Sequence, residues 1–243
     1  MRIIKYIPNT ITSMNLLSGT LGVIFTLEGR IDIAFPLMLA AACFDFCDGL
    51  AARLLGAYSD IGKELDSLAD MVSFGVLPSL MLYSLMGTDH WTRFIPLCIA
   101  VFSGLRLAKF NIDDRQHSSF VGLPTPAAAM ICGSMAYCVA AVHSGAVPVL
   151  DALCGSCWFI PVVSVVLSAL LVCELPMFAM KFGKGLTADK MLKITRLIFL
   201  LSFIPIVVSV IILKANWALV ILLAFVIYIL INVISSLFCM RAE

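Results

Sequence analysis

Four aspartates are set into sequence otherwise apolar enough to lie in a membrane. They fall in the runs Asp45-Phe-Cys-Asp48-Gly49-Leu-Ala-Ala52-Arg53 and Gly62-Lys-Glu-Leu-Asp66-Ser-Leu-Ala-Asp70. An ionised side chain at bilayer depth costs at least about 2.5 to 3.5 kcal/mol, so a chain carrying four must fold to gather them around bound cations or a polar cavity. Their spacing shows how. Asp45 and Asp48 are i and i+3, Asp66 and Asp70 are i and i+4, and each pair therefore shares one helix face. An antiparallel hairpin turning near Gly56 to Gly62 brings the two faces together. Carboxylates so gathered repel unless divalent cations neutralise them, and hard oxygen ligands suit Mg2+ or Mn2+ better than Zn2+. Gly49 and Ala52 leave room for a ligand against the helix, and Arg53 offers a bidentate fork for phosphate. A purely structural role for the acids would need bases to pair with them, and only Arg53 and Lys63 are near enough in sequence.

The rest of the chain supports this setting. Hydrophobic residues make up 62% and charged residues 13%, against about 45 to 50% and about 25% in soluble domains, and the mean hydropathy is +1.07. Runs able to cross about 30 Å of hydrocarbon lie at 7–27, 33–55, 61–86, 94–110, 120–142, 158–180, 197–213 and 217–240. The expectation is an all-α, polytopic integral membrane helix bundle of about eight transmembrane helices, forming a single domain over 1–243. The first apolar run lacks a small-residue cleavage site and is expected to remain as a span.

Charge then orients the bundle. With the N-terminus in the cytoplasm, the inner segments hold Arg2, Lys5, Arg53, Lys63, Arg106, Lys109, Arg115, Lys181, Lys184, Lys190, Lys193, Arg196 and Arg241, leaving only Arg30, Arg93 and Lys214 outside. Excess basic charge marks cytoplasmic loops, so both termini are expected in the cytoplasm and the acidic motif near that face. The basic stretch Lys181 to Arg196 is expected to set topology and touch lipid headgroups.

Other reactive residues carry less. Seven of the nine cysteines are scattered through apolar spans, where cysteine acts as a small hydrophobe. Cys154-Gly-Ser-Cys157 is a lone CxxC expected in an outer loop, a minor candidate for a disulfide and a lesser one for zinc, since it lacks a second pair or a nearby histidine. His90, His117 and His143 fall near span ends and are expected to be interfacial. Glu174, before Pro176, is expected to be a buried acid of the sixth span. Pro124 and Pro126 are expected to open the fifth helix and free carbonyls.

The pattern D-x2-D-G-x2-A-R-x8-G-x3-D-x3-D, complete between Asp45 and Asp70, resembles the signature of the CDP-alcohol phosphotransferases. Three further stretches extend the likeness toward the serine-transferring branch of that family. They are Pro8-Asn9-Thr10-Ile11-Thr12-Ser-Met-Asn15-Leu-Leu-Ser-Gly19, Arg106-Leu-Ala-Lys109-Phe110-Asn111 and Gly122-Leu-Pro124-Thr-Pro126-Ala-Ala-Ala. Lys109 stands where an Arg is more usual, which keeps the charge and loses the fork. The likeness covers about the first 130 residues.

The resemblance implies transfer from CDP-diacylglycerol to L-serine, with release of CMP. It implies two divalent cations, Mg2+ or Mn2+, with Asp45 and Asp66 bridging both, Asp48 completing one, and Asp70 touching the other and serving as base. It also implies that the nucleotide and pyrophosphate lie along Asn9, Thr12, Gly49, Ala52, Arg53, Ser59 and Gly62. Arg106, Lys109 and Asn111 are the candidate acceptor site, Arg106 and Lys109 being a basic pair on the acidic motif's side of the membrane. Snorkelling to headgroups would account for Lys109 but less well for Arg106. The expected partners are the two substrates, membrane phospholipid and a second copy in a homodimer, with no nucleic acid, and the expected location is the inner membrane. Sister enzymes taking glycerol 3-phosphate or inositol phosphate would need more cations around the acceptor than this one pair. A cation transporter would spread polar residues through the membrane depth, whereas these acids cluster in the inner half.

Overall fold

The computed structural model describes residues 6–87, 90–112, 120–140, 148–177, 203–212 and 215–240. Helices dominate: α1 (Tyr6–Leu27), α2 (Ile31–Leu55), α3 (Asp60–Leu85), α4 (Trp91–Ile112), α5 (Thr125–Ala140), α6 (Pro148–Cys154), α7 (Phe159–Val172), α8 (Phe203–Ile212) and α9 (Ala218–Met240). Two short strands, β1 (Phe120–Val121) and β2 (Pro176–Met177), pair antiparallel.

The pattern of burial is that of a membrane bundle. The buried face of α1 is small and polar, comprising Pro8, Thr12, Asn15, Ser18, Gly19, Gly22 and Thr26. Its exposed face is apolar, with Met14, Leu17, Leu21 and Ile24 all outward. Small residues let helix backbones approach closely where lipid, being as apolar as leucine, gives no drive to bury large ones. At Gly133 on α5 a Cβ would overlap Met38 and stand 2.9 Å from Phe35 of α2. Phe35, Tyr137 and Trp217 form a ring cluster with centroids 5.3 to 5.7 Å apart, which seats the start of α9 against α2 and α5.

Each of the eight runs meets a helix, and among the described residues α1, α2, α3, α4 and α9 are long and apolar enough to cross a membrane unaided. A sixth span arises if α6 and α7, bent by 86°, are one. Two runs are shorter as helices than as apolar sequence, for local reasons. The fifth begins at Thr125 rather than Phe120, because residues 120–121 pair as a strand and Gly122 takes φ +78°. The sixth ends at Val172. Its last turn is met from outside the helix, with Leu123 N donating to Leu170 O at 2.9 Å, and the chain beyond it by Gly122 N donating to Leu175 O at 2.9 Å. Glu174 is thereby corrected: it is exposed beyond the helix end, where it forms an ion pair with Lys109 at 3.2 Å. Pro124 O is likewise not free, since it accepts from Ala127 N and Ala128 N at 3.0 and 3.2 Å.

A Cβ on Gly122 would stand 2.8 Å from Cys173 O and 2.9 Å from Leu171 O. Gly122→Ala is therefore expected to destabilise the protein by at least the roughly 1 to 2 kcal/mol that a left-handed backbone costs a residue with a side chain. A lower melting temperature of the detergent-solubilised variant is the measurement that checks this.

The site's end of the bundle is set by three contacts. Asn9, at the start of α1, approaches Gly62 at the start of α3. Lys63 Nζ donates to Asn111 O at 3.2 Å, tying the start of α3 to the end of α4. Arg53 closes α2 at this same end, while Arg30 and Arg93 lie at the opposite one, beside the α1–α2 and α3–α4 turns. His90 is exposed at the start of α4. His117, His143 and the stretch Lys181 to Arg196 lie outside the described residues. Cys154 and Cys157 are both unbonded, Cys154 buried and Cys157 half-buried.

Candidate active site and metal centre

The turn that joins the two halves of the acidic motif is encoded at its ends. Gly56 takes φ 57°, its N–H donates to Arg53 O at 3.4 Å, and Ala57 N donates to Ala52 O at 3.0 Å. This is the left-handed stop that glycine allows at a helix C-terminus. Ser59 then opens α3 as its N-cap, its Oγ accepting from Gly62 N at 3.0 Å. Between these caps the chain reverses, and α2 and α3 present their acidic faces to each other.

Asp45, Asp48 and Asp66 each place a carboxylate oxygen within 4.8 Å of the other two. Asp45 is also within hydrogen-bonding reach of Asp66 and Asp70, so the four acids are contiguous. Asp48 Oδ2 and Asp66 Oδ1 are buried with no hydrogen-bond partner among the described residues. A buried carboxylate oxygen left unpaired is costly, and several sharing one hollow repel as well. Oxygen ligands so placed fit a hard divalent cation, and the cluster can hold a metal.

Around this centre the sequence-predicted residues divide. Thr12 stands beside Asp48, although its hydroxyl also donates to Pro8 O at 3.0 Å. Asn9 and Ser59 flank Gly62, where a Cβ would stand 2.8 Å from Asn9 Oδ1 and 2.9 Å from Ser59 Oγ. Gly49 faces open space, Ala52 is half-buried beside it, and Arg53 is exposed. The α2 surface from Gly49 to Arg53 is thus open for a ligand to lie along.

Arg106 is the candidate acceptor residue that turns inward. Its Nη1 donates to Thr125 Oγ1 at 2.8 Å, and its Nε is buried without a partner among the described residues. Asp70 and Tyr228 lie within its electrostatic reach. Lys109 is engaged with Glu174, and Asn111 with Ser67, its Nδ2 donating to Ser67 Oγ at 3.0 Å. These two brace α4 against its neighbours at the rim.

Sequence reasoning passed over three groups that the fold brings in. Thr125 was visible only as the residue between two prolines. Asn15, buried on α1, donates through Nδ2 to Asp70 Oδ1 at 3.3 Å. Ser73 donates to Asn15 Oδ1 at 2.7 Å. The polar series Asn9, Thr12, Asn15 on one face of α1 was the available signal for Asn15. Ser73 had none, since it lies in a π-helical turn, Met71–Val76, within α3.

Comparison with known proteins accords with this geometry. Residues 5–155 match the model of the family described as CDP-alcohol phosphatidyltransferase. Over 130 residues the chain is 42% identical to the CDP-diacylglycerol--serine O-phosphatidyltransferase of Bacillus subtilis (strain 168), covering 52% of this chain and 72% of that one. The protein of the same name from Mycobacterium leprae (strain TN) is 38% identical over 139 residues, covering 52% of this chain and 45% of its own length. The archaetidylserine synthase of Methanothermobacter thermautotrophicus is 35% identical over 131 residues, covering 53% and 56%. The chain thus spans most of the first relative and about half of each of the other two. The matched stretch contains α1 to α5 with all four aspartates, and the chain belongs to the CDP-alcohol phosphatidyltransferase family.

Proposed function

We propose that the whole chain acts as one membrane catalytic domain that transfers the phosphatidyl group of CDP-diacylglycerol to L-serine, giving phosphatidylserine and CMP. The observation that carries the reaction type is the four-aspartate cluster with its unpaired buried oxygens on Asp48 and Asp66. Serine as acceptor is supported by the names of the relatives and by Arg106, an inward guanidinium beside Asp70 with an open Nε.

Asp45, Asp48, Asp66 and Asp70 would hold two divalent cations, Mg2+ or Mn2+. When bound, such ions offset charge on phosphoryl oxygens during in-line displacement. The chain's own residues do the rest. Arg53 and the open surface from Gly49 to Ala52 receive the pyrophosphate and cytidine, with Asn9, Thr12, Ser59 and Gly62 closing the nucleotide end. Arg106, held by Thr125, binds the serine carboxylate and brings the hydroxyl to Asp70. Lys109 and Asn111 hold the end of α4 in place beside it. Asp70 takes the hydroxyl proton as the serine oxygen bonds to the phosphorus that carries diacylglycerol. The bond from that phosphorus to the CMP oxygen breaks, and CMP leaves with the electron pair. A carboxylate is a weak base in water, so its effect rests on proximity and orientation. The protein works as a homodimer in the inner membrane with this site toward the cytoplasm, a placement supported by the basic residues at the same end.

Arg106→Gln tests the acceptor. A charge-assisted hydrogen bond is worth about 1.5 to 3 kcal/mol, so kcat/KM for serine is expected to fall about 10- to 150-fold while KM for CDP-diacylglycerol changes little. Equal impairment of both substrates would place Arg106 on the lipid phosphates instead. Thin-layer analysis of products from each labelled acceptor completes the test: faster consumption of glycerol 3-phosphate or inositol phosphate would overturn the serine assignment.

A further inference from the structure

We propose that Asn15 is a positioning residue for Asp70 and that Ser73 holds the far end of its amide; the inference rests on the reading of Asp70 as proton acceptor. Asn15 and Ser73 are both 0% exposed. A buried amide is costly unless both its ends are bonded, and each end here has a partner. A carboxylate only accepts hydrogen bonds, so the group facing Asp70 Oδ1 at 3.3 Å is the Asn15 nitrogen. The Asn15 oxygen at the other end accepts from the Ser73 hydroxyl at 2.7 Å.

The three side chains form a closed clamp between two helices. Asp70 and Ser73 belong to the same stretch of α3, so Asn15 is gripped at both ends by one element. Gly19, one turn along α1 from Asn15, lets that stretch approach. A Cβ there would overlap Ser73 Oγ and stand 2.9 Å from Ser73 Cα. The π turn after Asp70 places Ser73 against α1, and π turns inside helices are frequent at functional sites. With Oδ1 of Asp70 bonded to the amide, the carboxylate is held in one orientation. Asn15 thereby fixes which oxygen faces the acceptor hydroxyl.

The test is a double-mutant cycle on the detergent-solubilised full chain, with CMP release measured against both substrates. Asn15→Ala is expected to lower kcat about 10- to 100-fold, the range for losing an outer partner of a site ligand, with KM for CDP-diacylglycerol within about 2-fold. Ser73→Ala removes one oxygen without disturbing the packing, and is expected to lower kcat about 3- to 10-fold. Because Ser73 acts through Asn15, the double variant should be no slower than Asn15→Ala alone. Neither substitution should slow Asp70→Asn further. Wild-type kcat in Asn15→Ala, additive losses in the double variant, or a rise in donor KM matching the fall in kcat would each overturn the positioning role. If Asn15→Ala does not fold, Ser73→Ala decides the matter: unchanged kcat would overturn the proposal, and a kcat loss that vanishes in the Asp70→Asn background would support it. Normal turnover by Asp70→Asn itself would overturn the proton-acceptor reading, whereas additivity alongside an impaired Asp70→Asn would overturn the clamp alone.

Discussion

Protein stripped with EDTA is expected to release no CMP from CDP-diacylglycerol, and Mg2+ or Mn2+ is expected to restore release in full. The expectation comes from electrostatics rather than from likeness alone. Three carboxylates converge within 4.8 Å, a fourth lies beside them, and Asp48 Oδ2 and Asp66 Oδ1 have no protein donor among the described residues. Lys63 is bonded to Asn111 O and Arg106 to Thr125, so neither of these cations is turned wholly to the cluster. Among the described residues no ion pair neutralises the cluster, and a bound cation would supply charge of the missing sign. Asp45→Asn and Asp66→Asn, each at a central position of the cluster, are expected to weaken both metal and nucleotide binding. Turnover that survives exhaustive chelation would sink the two-metal reading.

The second large effect belongs to Asp70. Asp70→Asn preserves shape while removing the proposed proton acceptor, so kcat should fall about 100-fold or more with CDP-diacylglycerol still bound. Single-turnover measurement with equilibrium donor binding separates the two. Equal loss of binding and turnover would make Asp70 a ligand like Asp45 and Asp66 and no base.

The acidic motif was legible because its determinants are local. Spacings of three and four place carboxylates on a helix face wherever the helix forms, and Gly56 and Ser59 are stop and start signals that work through the backbone beside them. What the residues hid was set by distant partners. Glu174 looked like a buried acid within an apolar run, yet the run ends at Val172 because Gly122 and Leu123, some fifty positions away, supply donors to its last turn and the following chain. Asn111 shares a stretch with Arg106, but its amide is claimed by Ser67 across the helix interface. The apolar runs and the helices differ in length for a related reason: apolar sequence continues through Phe120 to Pro124 and past Val172, where the backbone is not helical.

The π turn in α3 also gives chain length a meaning of its own. Leu77, Met81 and Leu82, beyond the turn, are fully buried, while Asp66 and Asp70, before it, face the acids of α2. One extra residue in the turn puts these two sets out of phase with a regular helix by about 100°, the angle one residue subtends. A single-residue deletion between Met71 and Val76 that closed the turn into a regular helix would leave every aspartate in place and keep Leu77, Met81 and Leu82 on their present face, whereas one residue more would turn them by about 100° out of the core. The stretch can thus shorten by one residue at the expense of the contact between Ser73 and Asn15, but lengthening it by one is expected to unseat the core beyond it while every chemical group of the site remains.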